Sequence, residues 1–441
     1  MSIVFVAAAL RLRCAGRAGA LILALCWTSI GPIVQAQPAL AFNQALRLAQ
    51  DRSRQLTAQD YAASAAREMA VAAGQLPDPT LTAGINNLPI NGADQFSLTR
   101  DFMTMRSVGV MQQFTRSDKR EARAARFDRE AEAAEAGRTL ALANLQRDTA
   151  LAWLDRYYQE RVRETLTAQR DEARLQIEAA DAAYRGGRGS QADVFSARAA
   201  VAQIEDRVAQ ADRQIATAKN RLARWVGDAA NQPLAAAPNM DAFRVDWARL
   251  EDHIAHHPQI EVMVRQEQVA RAEAEIAQAN KRSDWSAELM YSQRGPAYSN
   301  MISINFSIPW QLDRKNRQDR ELSAKLALID QMQAQREELT REHVADARTW
   351  WQQWQNSRDR LARYDNSIIP LSIERTRAAL AAYRGGSATL SGVLEARRME
   401  IDTRLERVRL EMEMAGMWAQ LEYLIPAGSV LGGEVKRGAN R

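Results

Sequence analysis

Between residues 116 and 184 the chain has no proline and one glycine, Gly137, in a stretch dominated by Ala, Arg, Glu, Leu and Gln. These are strong helix formers, and nothing in the run stops a helix once it has started. At 1.5 Å per residue the run makes a rod of roughly 100 Å. A second run, residues 313–383, is as long and is broken only by Pro370. No compact globular domain holds rods of this length, so the architecture has to be elongated.

Both rods end in the same six residues, AAYRGG, at 182–187 and again 199 positions later at 381–386. At that shift residues 184–198 (YRGGRGSQADVFSAR) align with 383–397 (YRGGSATLSGVLEAR) without a gap. The pairs Gly186-Gly187 and Gly385-Gly386 fit helix ends that need positive φ. Beyond the first pair, Val194, Val201, Val208, Ile215 and Leu222 recur every seven residues. Ala197, Ile204, Ala211, Ala218 and Trp225 follow three places later, the a/d seam of a coiled coil. In the second half Leu394, Ile401, Val408 and Ala415 keep the sevenfold spacing. Each rod therefore turns at a glycine tip and returns along itself, in two tandem halves. Residues 228–246, with Pro233 and Pro238, read as the linker between them.

Short segments of a different period precede each rod. In residues 284–292, Trp285, Ala287, Leu289 and Tyr291 alternate with polar neighbours, Ser286, Glu288 and Ser292, and with Met290. In residues 301–310, Ile302, Ile304, Phe306, Ile308 and Trp310 alternate with Met301, Ser303, Asn305 and Ser307. Period two over such lengths predicts strands with one apolar face, and Trp285, Tyr291 and Trp310 sit where interfacial aromatic girdles would lie. Residues 80–86 and 107–114 give a weaker pair in the first half. These lengths approach those of membrane-spanning strands. Four strands cannot close a barrel, since about eight are needed, so several chains must share one.

The first 36 residues read as an export signal. Arg11, Arg13 and Arg17 precede an apolar run at 18–27, and Val34-Gln35-Ala36 forms a cleavage site before Gln37. Both cysteines, Cys14 and Cys26, fall in this segment, so the expected mature chain has no disulfide or thiolate chemistry. Removing the three arginines leaves +2 of the formal +5 charge, which gives no support for nucleic-acid binding.

Signal segment, tandem halves, two strands per half and a doubled tip motif of tyrosine, glycine, valine and alanine resemble the TolC-like outer-membrane efflux factors. The resemblance runs from about Ala39 to Pro426. It implies a mainly α fold with a small β part, in which long coiled-coil hairpins form an α-barrel tunnel in the periplasm. Four strands from each chain of a homotrimer would complete a 12-stranded β-barrel in the cell outer membrane. It also implies a periplasmic adaptor (membrane fusion protein) docked at the tips and an inner-membrane pump of the resistance-nodulation-division type. The residues 74–89 (GQLPDPTLTAGINNLP) and 96–114 (FSLTRDFMTMRSVGVMQQF) resemble the subgroup linked to cobalt-zinc-cadmium or copper-silver resistance.

The expected organisation is then a signal peptide at 1–36, a first repeat at 37–227 with its tip near 185–190, and the linker at 228–246. A second repeat follows at 247–426 with its tip near 384–389, then a tail at 427–441. Tyr184, Arg185, Gly186, Gly187, Arg188, Tyr383, Arg384, Gly385 and Gly386 are the candidate adaptor-contacting residues. In such proteins acidic residues on the returning helix line the periplasmic gate. Asp193 and Glu395 match those positions, whereas Ser196 and Gly392 depart from the pattern. Trp285, Ala287, Leu289, Tyr291, Ile302, Ile304, Phe306 and Ile308 are the candidate lipid-facing residues.

No phosphate-binding glycine loop, metal-ligand spacing or nucleophile–base set is found, so neither an enzyme nor a cofactor is expected. The sequence His256-His257-Pro258 precedes a fresh helical run and reads as a helix boundary. Met103, Met105, Met111, Met290 and Met301 read as apolar filling or as soft thioether donors. The expected function is passive export, most simply of heavy-metal cations. An exit duct for organic compounds or for type I protein secretion, and a soluble periplasmic coiled-coil scaffold, stay open as alternatives.

Overall fold

A computed structural model describes residues 39–244, 254 and 256–427. The signal segment at 1–36, the tail beyond residue 427, His253 and the start of the second repeat lie outside the described residues. In chain order the elements are α1 (Phe42–Arg52), α2 (Arg54–Ala73), β1 (Thr80–Asn86), β2 (Met105–Phe114), α3 (Ser117–Arg185) and α4 (Gln191–Val226). They continue with α5 (Pro258–Ala279), β3 (Trp285–Gln293), β4 (Met301–Ser307), α6 (Gln318–Arg363), α7 (Ile369–Arg384) and α8 (Leu390–Glu422).

The first rod is one helix, α3, of 69 residues. Its surface carries ion pairs one turn apart, such as Arg126–Glu130 at 2.9 Å and Arg161–Glu164 at 2.9 Å. Each such pair supplies about 0.3–0.5 kcal/mol, so the rod depends on its packed face rather than on these contacts. That face is built largely of alanine, including Ala131, Ala141, Ala150, Ala173 and Ala180, and it lets α2, α4 and α5 approach closely.

The heptad seam of α4 is buried from Val194 through Leu222 as the spacing predicts. At its end the seam shifts by one residue: Val226 is buried and Trp225 only partly so. A helix with 3.6 residues per turn drifts about 20° per heptad against a strict 3.5-residue repeat, which moves the contact along by one position after four heptads.

The second rod is interrupted next to Pro370, the break marked in the sequence. Helix α6 starts at Gln318, and residues Tyr364–Ile368 form a π-turn before α7. The amide of Ile369 donates to the Tyr364 carbonyl, five residues back. Pro370 has no amide hydrogen and its ring crowds the carbonyl of Asn366, and the wider turn accommodates it without breaking the rod. Arg407 of α8 clasps the turn through Asp365, with contacts of 2.8 and 3.2 Å.

At the end of the hairpins opposite the tips, both halves share a wide aromatic core of Phe42, Trp153, Tyr158, Trp354 and Trp418. Residues 228–246, expected as a linker, are packed into it where they are described. Leu40 pairs with Leu234 in a parallel bridge, and the fully buried Arg156 donates to the carbonyls of Ala230 (2.6 Å) and Gln232 (2.8 Å). The tryptophans of the second rod belong here, with Phe243 edge-on to Trp354 at 4.8 Å.

The four strands make one antiparallel sheet in the order β1-β2-β3-β4, so the two halves meet between β2 and β3. Strand β4 ends at Ser307, short of the predicted Trp310. Pro309 cannot donate to the ladder, and it restricts Ile308 before it.

Candidate functional site: an apolar sheet face and paired hairpin tips

The sheet register sorts its residues into two faces. Leu81, Val110, Leu289 and Ile304 lie in one row, and Ala83, Val108, Tyr291 and Ile302 in the next. The row nearest the helices holds Phe114 and Trp285, stacked at 4.2 Å, with Phe306 6.4 Å from Trp285. Every expected lipid-facing residue within the strands therefore falls on one side, and Ile308 lies just beyond the end of β4. Most of them are exposed in the single chain, Ile302 and Phe306 at 70% and Ile308 at 68%. Leaving such side chains in water forgoes about 1.5–3 kcal/mol each, so a patch of this size has to be covered. The opposite face carries Thr80, Thr82, Ser107, Ser286, Glu288, Ser303 and Asn305. Among the described residues no helix is long and apolar enough to cross a membrane.

The sheet joins the rods through a charged cluster. Arg116 and Lys119 follow β2, and Asp284 precedes β3. Asp284 accepts from the Arg116 amide at 3.1 Å and pairs with Lys119 Nζ at 3.1 Å. Arg282 pairs with Asp118 at 3.0 Å across the same boundary. At the far end of the sheet the loops of the two halves interlock. A Cβ on Gly295 would fall 1.9 Å from the Thr99 carbonyl oxygen, so only glycine fits there.

The two tips have the same backbone. Arg188 N–H donates to Ala183 O (2.9 Å) and Gly187 N–H to Tyr184 O (3.0 Å); Ser387 N–H donates to Ala382 O (3.0 Å) and Gly386 N–H to Tyr383 O (3.0 Å). These are Schellman caps, with positive φ at the second glycine of each pair, 69° at Gly187 and 75° at Gly386. Gly186 and Gly385 keep φ of −81° and −77°, so the first glycine of each pair is not required by its φ.

The surroundings of the two tips differ. Ala180, Val194, Ala197, Leu390 and Val393 form one cluster shared by both hairpins. Tyr383, one of the candidate adaptor-contacting residues, is half-buried against it, whereas Tyr184 is 46% exposed. Arg185 pairs with Asp181, one turn back. Arg188 and Arg384 are exposed.

Asp193 and Glu395 both already have partners. Asp193 closes a capping box: its carboxylate accepts from Ser190 N–H (2.9 Å) and Oγ (2.7 Å), and its own amide donates to Ser190 Oγ (3.2 Å). The Ser190 amide, with help from its hydroxyl, holds the Asp193 carboxyl below the usual range and keeps it charged. Glu395 pairs with Arg398 at 3.0 Å, in a groove it shares with Ser196, Arg207 and Arg397. The sequence pattern did not disclose these arginines, because they reach the groove from two helices far apart in the chain.

His257 is the N-cap of α5, as its place before Pro258 suggests, and its Nδ1 accepts from the Gln259 amide at 3.2 Å. Its ring lies 4.3 Å from that of His343. Among the described residues no three His, Cys, Asp or Glu side chains come together to hold a metal ion.

This combination of an apolar-faced sheet and paired coiled-coil rods is a fold shared with solved outer-membrane channels. The chain matches the structure of CusC, described through transmembrane channel formation, with a TM-score of 0.75 at 15% identity over 88% of this chain and 93% of that one. It matches the outer membrane protein VceC from Vibrio cholerae with a TM-score of 0.70 at 19% identity, over 87% and 95% of the two chains. For the open MtrE outer membrane channel of Neisseria gonorrhoeae the TM-score is 0.64 at 18% identity, over 88% and 89%. Compared with protein-family models and with curated proteins, the chain matches none.

Proposed function

We propose that the protein is the outer-membrane exit duct of a tripartite efflux system, with its rods forming a periplasmic tunnel. Three chains contribute four strands each to one barrel, with the apolar face to lipid and the polar face to the lumen. The tips, made of Tyr184, Arg185, Gly186, Gly187, Arg188, Tyr383, Arg384, Gly385 and Gly386, dock a periplasmic adaptor. Through that adaptor an inner-membrane pump of the resistance-nodulation-division type supplies the energy. Asp193 and Glu395 from each chain ring the narrow periplasmic end and attract cations. The cargo is heavy-metal cations, a reading supported by the sequence resemblance of residues 74–89 and 96–114 and by CusC among the similar folds.

The observation that carries this reading is a four-stranded sheet, too small to close, whose apolar face is uncovered in the single chain. Fractionation tests it. The protein should stay with the outer membrane through osmotic shock and cross-link as a trimer. Release of a monomer into the shock fluid would sink the duct. Cargo is tested by deleting the gene and comparing tolerance to copper, silver, zinc, cadmium and cobalt with tolerance to a dye panel.

A further inference from the structure

The polar face of the sheet contains a feature that its role as a lumen wall does not require. Four successive rungs of that face each hold one methionine. Nearest the helices is the rung of Thr80, Met111, Glu288 and Asn305. The next is Thr82, Gly109, Met290 and Ser303, then Gly84, Ser107, Ser292 and Met301, and last Asn86 with Met105. Rungs on one face are two residues apart, about 7 Å, so the four side chains climb about 20 Å.

If these methionines were apolar filling, they would lie on the apolar face. That face uses Leu, Ile, Val, Phe, Trp, Tyr and Ala, with Arg106, Gln112 and Gln293 toward its two ends, and the strands place no methionine on it. Elsewhere the chain does bury methionine in its core, at Met240 and Met414. Within the sheet the preference is reversed, and sulfur is set among hydroxyls, amides and one carboxylate. Asn305 holds that carboxylate, Glu288, with a 3.2 Å hydrogen bond on the rung of Met111.

We propose that Met111, Met290, Met301 and Met105 form a stairway of weak sites for soft monovalent cations, Ag(I) or Cu(I), along the inner wall; this rests on the duct reading above. Thioether sulfur suits soft ions and is a poor partner for harder divalent ones. It binds without losing a proton, so affinity is independent of pH, and one neutral thioether per rung keeps it modest. A duct needs this: sites strong enough to be entered, repeated, and weak enough to be left. Glu288 adds a negative charge at the first step from the helical end.

The test uses purified full-length protein in chloride-free buffer, titrated with silver nitrate by calorimetry and examined by silver X-ray absorption. Sulfur is expected among the silver ligands. The combined variant Met105→Leu, Met111→Leu, Met290→Leu and Met301→Leu should bind silver at least tenfold more weakly, with zinc binding changed less than twofold. Leucine preserves volume, and heat-resistant oligomers on gels report assembly. Should the combined variant assemble poorly, Met290→Leu alone should still lower the silver bound per chain. Unchanged silver affinity in the combined variant, or an oxygen-only silver shell in the wild type, overturns the stairway. Cell tolerance separates this from the duct reading. If gene deletion removes silver tolerance and the combined variant restores it fully, the stairway falls and the duct stands. If deletion leaves silver tolerance intact while sulfur-ligated silver is still found in vitro, the export role falls instead.

Discussion

Lys119 Nζ lies 3.1 Å from Asp284 Oδ2, with side chains only 7% and 15% exposed, and the pair ties the end of β2 to the start of β3. It joins the two halves where sheet gives way to rod. Removing one partner of such a pair leaves a buried charge and costs about 3–5 kcal/mol. Lys119→Met should lower the thermal midpoint of the purified oligomer sharply. Adding Asp284→Leu should recover most of that loss. Equal melting of the single and double variants would show that the pair is not coupled.

Leu289 and Ile304 are direct cross-strand partners near the middle of the apolar face. An arginine at the bilayer midplane of a barrel costs about 2–4 kcal/mol. If the duct proposal holds, Ile304→Arg should abolish outer-membrane assembly, measured as heat-resistant trimer in membrane fractions. Ser303→Arg, one residue away on the other face, should assemble. Equal behaviour of the two variants would reverse the assignment of the faces.

Only one glycine in each tip pair is held at positive φ. Alanine in the left-handed region costs about 1–2 kcal/mol. Gly187→Ala and Gly386→Ala should destabilise their hairpins by that amount, whereas Gly186→Ala and Gly385→Ala should cost less than half as much. Hydrogen exchange of the tip amides reads the difference directly. If the tips dock an adaptor, bulkier residues at Gly187 and Gly386 should also abolish resistance while leaving trimers in the membrane.

Asp193 combines a helix cap with a proposed gate charge, and asparagine separates the two. Asp193→Asn keeps an oxygen to accept from the Ser190 amide, so the hairpin should lose well under the ~1 kcal/mol of a lost cap. The gate role predicts a lower cation-to-anion permeability ratio in planar bilayers. An unchanged ratio leaves Asp193 as a cap alone.

Burial above all, then the His343 ring and Arg147, depress the His257 pKa from 6.5 to about 3. Burial also lowers His343, against the opposing pull of Asp346 and Glu342. Between pH 6.5 and 3 the unfolded chain takes up a proton at residue 257 that the folded chain refuses. The stabilisation is complete above pH 6.5 and is lost as pH falls through that window, roughly 2 kcal/mol between pH 7.5 and 5. His257→Asn keeps a cap for Gln259 and should flatten the acid limb of a stability–pH curve. An unchanged slope would assign the acid sensitivity elsewhere.

The local features could be read from the sequence. Strand β1 falls at the residues its alternation marks, the 69-residue α3 lies within one position of its predicted span, and the two tips are identical. These depend on period, propensity and glycine, all fixed within a few residues. Features created by distant segments were hidden. Arg156 reaching into residues 230–232, Tyr383 folding onto a cluster shared by both hairpins, and Arg207 entering the groove of Glu395 each require two elements to meet. The π-turn lay between. Pro370 announced a break, but only the packing of Arg407 on Asp365 shows how the helix continues through it.

That turn sets the phase of everything beyond it. Its extra residue rotates the following side chains by about 100° around the rod axis relative to an uninterrupted helix. The second copy of AAYRGG thus reaches its tip after a phase step that the unbroken α3 does not contain. Deleting Asn366 would remove that step but press the Pro370 ring against a carbonyl of a regular helix, so the rod would kink rather than rewind. The two tips, alike in backbone, are in this way carried by rods of different winding.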